Sequence, residues 1–161
     1  MKPWLLTTAM LLSCYAVIAQ QQFPSVRLRD IDGRTVDFAD LATRGRDTAL
    51  VLSFWATWCV PCIAELDNIT DDLADRSPDT PFRLVGISID DTRTSHRVKP
   101  FVRGKGWDFD ILMDTNSELK RALNITDVPH MMVIRGGRVI YRRTGYSAGA
   151  EQELYTALRS R

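Results

Sequence analysis

Ala49-Leu50-Val51-Leu52-Ser53-Phe54 is apolar but for one serine and rich in β-formers, the pattern of a buried strand. Beyond it Ile63, Leu66, Ile69 and Leu73 recur at spacings of three and four. That periodicity predicts a helix from Val60 to Arg76 with one apolar face, ended at Ser77-Pro78. Phe82 to Ile89 reads as a second, central strand with Asp90-Asp91 at its end. A strand, a crossover helix and a parallel strand make a right-handed βαβ unit.

The flanking segments fit around that unit. Ser25 to Arg29 alternates apolar and polar, Asp30 to Gly33 turns, and Thr35 to Phe38 alternates again, which predicts a β-hairpin at the sheet's flank. Asp40 to Thr43 offers one helical turn before a charged loop, Arg44 to Asp47. Further on, Thr94 to Arg103 is helical in pattern, with Pro100 set to kink it or to begin a new helix. Phe109 to Met113 reads as a short strand and Ser117 to Leu123 as a short helix. Met131 to Ile134 and Val139 to Tyr141, joined through Gly136-Gly137, predict a hairpin, and Gly149 to Arg159 predicts a closing helix. In this reading the Arg142-Arg143 pair belongs to the solvent face of a strand, and His96 is a solvated surface residue.

The chain has 161 residues, 45% hydrophobic and 25% charged, which fits one globular domain. Lys and Arg total 21 against 20 Asp and Glu, and the only charge before Gln20 is Lys2, so residues 20–161 carry 20 of each sign. With no basic field to hold a phosphate backbone, nucleic acid is excluded as a partner class.

Residues 1–19 read as a signal peptide: Lys2 is a minimal positive region, Leu5 to Ile18 is apolar, and Val17-Ile18-Ala19 is a processing site. The stretch is short for a spanning helix and holds Thr7, Thr8 and Ser13. The domain is then expected over 20–161, exported and periplasmic or otherwise extracytoplasmic. The competing expectation is a lipid anchor, because Leu11-Leu12-Ser13-Cys14 resembles a lipoprotein box with Cys14 acylated.

Cleavage after Ala19 leaves Cys59 and Cys62 as the mature chain's only cysteines. They close too small a loop to staple a secreted domain, so exchange chemistry is the use the spacing suits. Both lie where the buried strand becomes the helix, beside unpaired N–H groups and the positive end of the macrodipole, which favour thiolate over thiol. Pro61, just inside the helix, gives up an N–H that has no partner there. A zinc site needs about four ligands, and the chain adds only His96 and His130 to the pair.

Trp58-Cys59-Val60-Pro61-Cys62 between strand and helix, then Val128-Pro129 before a hairpin and a last helix, resembles the thioredoxin superfamily. The export signal, the lead-in Phe54-Trp55-Ala56-Thr57-Trp58, Glu65 and the extra segment from Asp90 to Met113 are more similar to its extracytoplasmic TlpA/ResA/DsbE branch. The resemblance implies an α/β thioredoxin-like fold, a central mixed sheet flanked by helices, with an N-terminal hairpin and a central inserted βαβ-type segment. It implies a thiol-disulfide oxidoreductase in which Cys59 attacks and Cys62, one turn in, resolves; two intervening residues at a helix start bring the sulfurs within disulfide reach. The redox-active pair is the only cofactor it calls for.

The same resemblance makes Pro129 a cis proline and gives Val128, before it, a backbone that holds the substrate chain, with Trp58 and His130 at the docking surface. A protonated His130 near Cys59 would favour thiolate. Glu65, three residues after Cys62, can reach back along the helix face and is expected to relay a proton to or from Cys62; a Glu favoured by the helix dipole is the competing account. Many thioredoxins carry a buried aspartate six residues before the first cysteine, where this chain has Ser53. The expected partners are protein thiols and disulfides, with a membrane electron donor keeping a monomeric protein reduced, in a role such as cytochrome c maturation. A metallochaperone using Cys59, Cys62 and His130, and a peroxiredoxin-like peroxidase, are the alternatives; the peroxiredoxin proline, threonine and cysteine loop is absent.

Overall fold

The structure, a computed structural model, describes residues 22–44, 48–75 and 81–160. The proposed signal peptide, Cys14 and most of the Arg44 to Asp47 loop lie outside them. The elements are β1 (Arg27–Asp30), β2 (Thr35–Asp37), α1 (Phe38–Thr43), β3 (Ala49–Trp55), α2 (Val60–Asp75), β4 (Phe82–Ser88), a 3-10 turn (Ser95–Arg97), α3 (Val98–Lys105), β5 (Asp110–Met113), α4 (Glu118–Ala122), β6 (His130–Arg135), β7 (Arg138–Thr144) and α5 (Glu151–Arg159). The strands form one sheet in the order β2-β1-β5-β4-β3-β6-β7.

All seven residues of β3 are buried. Parallel pairing with β4 and antiparallel pairing with β6 make it a central strand, and helices cover both faces, which is why its sequence reads as an apolar run. Side-chain alternation divides the core into two layers. Val51 and Trp55 meet α2 through Leu66 and Ile69, α3 through Val98 and Val102, and α5 through Leu154 and Leu158. Leu50, Leu52 and Phe54 face the other way, onto Phe38 and Leu41 of α1 and Leu119 of α4.

The β1–β2 hairpin joins the sheet through antiparallel pairing of β1 with β5, while β5 runs parallel to β4. Pro100 stands in the first turn of α3, where an N–H has no intrahelical acceptor, so the helix begins afresh there rather than kinking. The segment that brings α3 docks on α2: Asp67 accepts from Trp107 Nε1 at 3.0 Å and from Lys105 Nζ at 2.6 Å. Trp107 meets Trp55 edge-on at 5.1 Å and stacks on Phe109 at 5.4 Å. At the β6–β7 turn, Gly136 and Gly137 take φ of +57° and +74°, the paired positive angles of a two-residue hairpin turn.

Candidate active site

Cys59 immediately precedes α2. Its N–H donates to Ala56 O at 3.0 Å and its carbonyl accepts from Ile63 N at 3.1 Å, the position from which a helix starts. Cys62 is the third residue of α2, and the two sulfurs form a disulfide with Cα atoms 5.3 Å apart. Cys62 is fully buried, whereas Cys59 keeps 5% exposure. An incoming thiol or thiolate therefore has access only at Cys59. Trp58, 57% exposed, and Val60, 74% exposed, flank it and are two of the three large apolar side chains standing in solvent among the described residues. An apolar rim around a reactive sulfur suits a polypeptide partner.

The loop that presents Cys59 is held from below. Asp90, fully buried after β4, accepts from Thr57 N at 2.9 Å, Thr57 Oγ1 at 2.6 Å and Ser88 Oγ at 2.9 Å. Sequence reasoning gave Asp90 no task. Its one legible signal is its position at the carboxyl end of a central strand, where open α/β sheets gather functional groups.

The Val128–Pro129 peptide is cis. Pro129 O accepts from Gly145 N at 2.8 Å, tying this turn to the end of β7. Val128 packs against both apolar clusters, including the one that contains the cysteines. His130 is on one side of the sheet only. Along β6, Met131 and Val133 join the layer of the cysteines, while Met132 and Ile134 join the opposite one. His130 shares the second parity and meets Phe54 edge-on at 6.3 Å. Its Nδ1 is 2.8 Å from Thr144 Oγ1, and burial, helped by the Arg142 charge, moves its pKa below the usual imidazole value. Burial thus disfavours the imidazolium, and the ring is on the sheet face away from Cys59, so it is not placed to support a thiolate there.

Glu65 belongs to the buried face of α2, in register with Cys62, Leu66 and Ile69. It is the sixth helical residue, past the first turn where the dipole acts, so the dipole does not explain it. Its carboxylate is held on both oxygens: Ser53 Oγ donates to Oε2 at 3.2 Å, and Arg143 Nη2 donates to Oε1. Ser53 thus supports a carboxylate that arrives from the helix rather than from β3. Burial pushes the Glu65 pKa up to about 7, outweighing the opposing pull of Arg143 and the two hydrogen bonds.

Arg143 corrects the sequence reading. Its side chain is only 13% exposed, because Tyr141 and Arg143 pair with Val133 and Met131 and so face the layer beneath α2, while Arg142 and Thr144 between and beyond them are exposed. Parity with Tyr141 was the available signal; the charge obscured it. Among the described residues no cluster of three or more His, Cys, Asp or Glu is placed to hold a metal, and none of their helices is long and apolar enough to cross a membrane.

A mixed sheet of this order, with a C-x-x-C pair opening the helix after its central strand and a cis proline before β6, defines the thioredoxin-like class. Residues 19–144 match the AhpC/TSA family, and the chain belongs to it. Among curated proteins it is similar to thiol-disulfide oxidoreductase ResA of Bacillus thuringiensis subsp. konkukian, 24% identical over 136 residues, which cover 84% of this chain and 75% of that one. A thioredoxin-like protein from Porphyromonas gingivalis is 37% identical with a TM-score of 0.74, over 86% of this chain and 90% of the other. A secreted Mycobacterium tuberculosis disulfide oxidoreductase homologous to DsbE shares the fold at 21% identity and a TM-score of 0.66, over 83% and 94% of the two chains.

Proposed function

We propose that this protein is a thiol-disulfide oxidoreductase that exchanges disulfides with protein substrates through Cys59 and Cys62, working as a reductant outside the cytoplasm. The observation that carries the reading is the Cys59–Cys62 disulfide at the start of α2, open to a partner only at Cys59 and rimmed by exposed Trp58 and Val60. The ResA name of its relatives supports the same chemistry.

In the reducing direction the Cys59 thiolate attacks a substrate disulfide. A Cys59–substrate S–S bond forms, the substrate S–S bond breaks, and the departing thiolate takes a proton from solvent. Cys62 then gives its proton to the Glu65 carboxylate and attacks Cys59 Sγ. The Cys59–Cys62 bond forms, the mixed disulfide breaks, and the second substrate sulfur leaves reduced. The enzyme has lost two electrons and the substrate has gained two; the proton on Glu65 passes to product or solvent. A pKa of about 7 suits a group that must both take and release a proton near neutrality.

Val128, preceding the cis Pro129, offers its backbone to the substrate chain beside Cys59, and Trp58 supplies apolar contact. A membrane electron donor returns the pair to dithiol. Residues 1–19 direct export, cytochrome c maturation is a fitting pathway, and a monomer suffices.

Cys62→Ser in the native host tests the assignment. Substrates should accumulate as mixed disulfides on Cys59, and the purified wild type should reduce insulin disulfides. Traps formed through Cys62 when Cys59 is replaced, but not the reverse, would overturn the roles.

A further inference from the structure

Across three neighbouring strands, Ser53 on β3 pairs with Met131 on β6, and Met131 pairs with Arg143 on β7. Ser53 and Arg143 thus flank Met131 on the sheet face beneath α2, and each holds one oxygen of the Glu65 carboxylate that comes down from the helix. Arg143 is fixed further by Nη1 donating to Gly145 O at 3.0 Å, and its guanidinium stands 5.8 Å from the centroid of the Tyr146 ring. Asn68 of α2 donates to the Tyr146 hydroxyl, which ties the helix to the segment just after β7. The buried Arg143 Nε has no acceptor among the described residues; the guanidinium commits its two terminal nitrogens to Glu65 and Gly145.

We propose that Arg143 is a positioning residue for disulfide exchange, one that keeps the buried Glu65 carboxylate available as the proton acceptor for Cys62. The inference rests on the reading of Glu65 as that acceptor. The electrostatic argument is short. Burial disfavours the charged carboxylate, and Glu151 of α5 adds a like charge against it. Ser53 on β3 brings a hydrogen bond but no charge, Met131 on β6 is apolar, and Tyr141 on β7 donates to Glu153 of α5 at 3.0 Å. Arg143 is the cation that the fold sets against Glu65 from this side, and without it Glu65 stays protonated at neutral pH and cannot take the Cys62 proton.

The first test is a carbon-13 carboxyl titration of Glu65 in the oxidised protein. The wild-type midpoint should lie near 7, and Arg143→Gln should raise it by roughly one to three pH units. Arg143→Lys, which keeps the charge, should stay closer to the wild type than to the Gln variant. The second test is the pH profile of insulin reduction. The limb set by Glu65 should move upward in Arg143→Gln, be absent in Glu65→Gln, and be unaffected by adding Arg143→Gln to Glu65→Gln.

An unmoved Glu65 midpoint in folded Arg143→Gln overturns the proposal. If that variant does not fold, an Arg143→Lys protein that loses activity with an unmoved midpoint overturns it equally. A wild type that exchanges no disulfides would instead remove the functional reading, while the titration still decides whether Arg143 governs Glu65.

Discussion

At pH 7 the Glu65 carboxyl is near the middle of its titration, and this has a stability consequence with a definite sign. Its pKa is 4.5 in an unstructured chain and about 7 when folded, so between those values the native state binds more protons than the unfolded one. Stability from this group is fully present below about pH 4.5 and is lost as pH rises through about 7, on the order of 3 kcal/mol. Glu65→Gln should therefore flatten the fall in urea midpoint between pH 5 and 8. A wild type and variant with parallel profiles would show that Glu65 does not titrate in that window. Cys62 and Glu65 share one buried stripe with Leu66 and Ile69, so the carboxylate is placed by the same periodicity that packs the helix.

At the scale of elements, the loop before α2 is positioned by the end of β4. Asp90→Ala would leave the Thr57 N–H and hydroxyl without their acceptor, costing roughly 1–3 kcal/mol for each group left unsatisfied. Chemical denaturation should show that loss, and insulin reduction should slow because Cys59 is no longer presented in one conformation. The neighbouring Gly86 of β4 is a matter of space. A Cβ there would lie 2.7 Å from Ile111 Cδ1, 3.0 Å from Trp55 Nε1 and 3.2 Å from Phe109. Ile111 is buried on β5 and has little room to turn away. Gly86→Ala should cost about 1–3 kcal/mol by overpacking, read as a lower denaturant midpoint with an unchanged m-value.

The whole molecule has two apolar layers on one sheet, so the strands cannot keep one layer while losing the other. Leu52, fully buried, faces the layer of α1 and α4, whereas Trp55 and Trp107 lie in the layer of α2, α3 and α5. Leu52→Ala should destabilise the fold by about 2–5 kcal/mol. Tryptophan fluorescence, which reports chiefly the far layer, should shift its midpoint in step with far-UV circular dichroism. Separated midpoints would mean that the layers unfold independently.

The local pattern of the sequence carried most of the elements: the apolar run of β3, the three-and-four spacing of α2, the alternating β1–β2 hairpin and the two-glycine turn between β6 and β7 are each dictated by neighbours along the chain. The thiol pair and its address at a strand-to-helix junction are local too. Three features needed the tertiary structure. His130 adjoins the cis proline in sequence, yet strand parity turns its ring to the face away from Cys59. Asp90 takes its role from Thr57, 33 residues earlier. Arg143 reads as one of two surface arginines until β7 pairs with β6 and α2 brings Glu65 down onto it. Periodicity says which residues share a face, but which carboxylate meets which guanidinium in a buried layer depends on how distant strands and helices are brought together, and it is that meeting which sets the charge beneath Cys62.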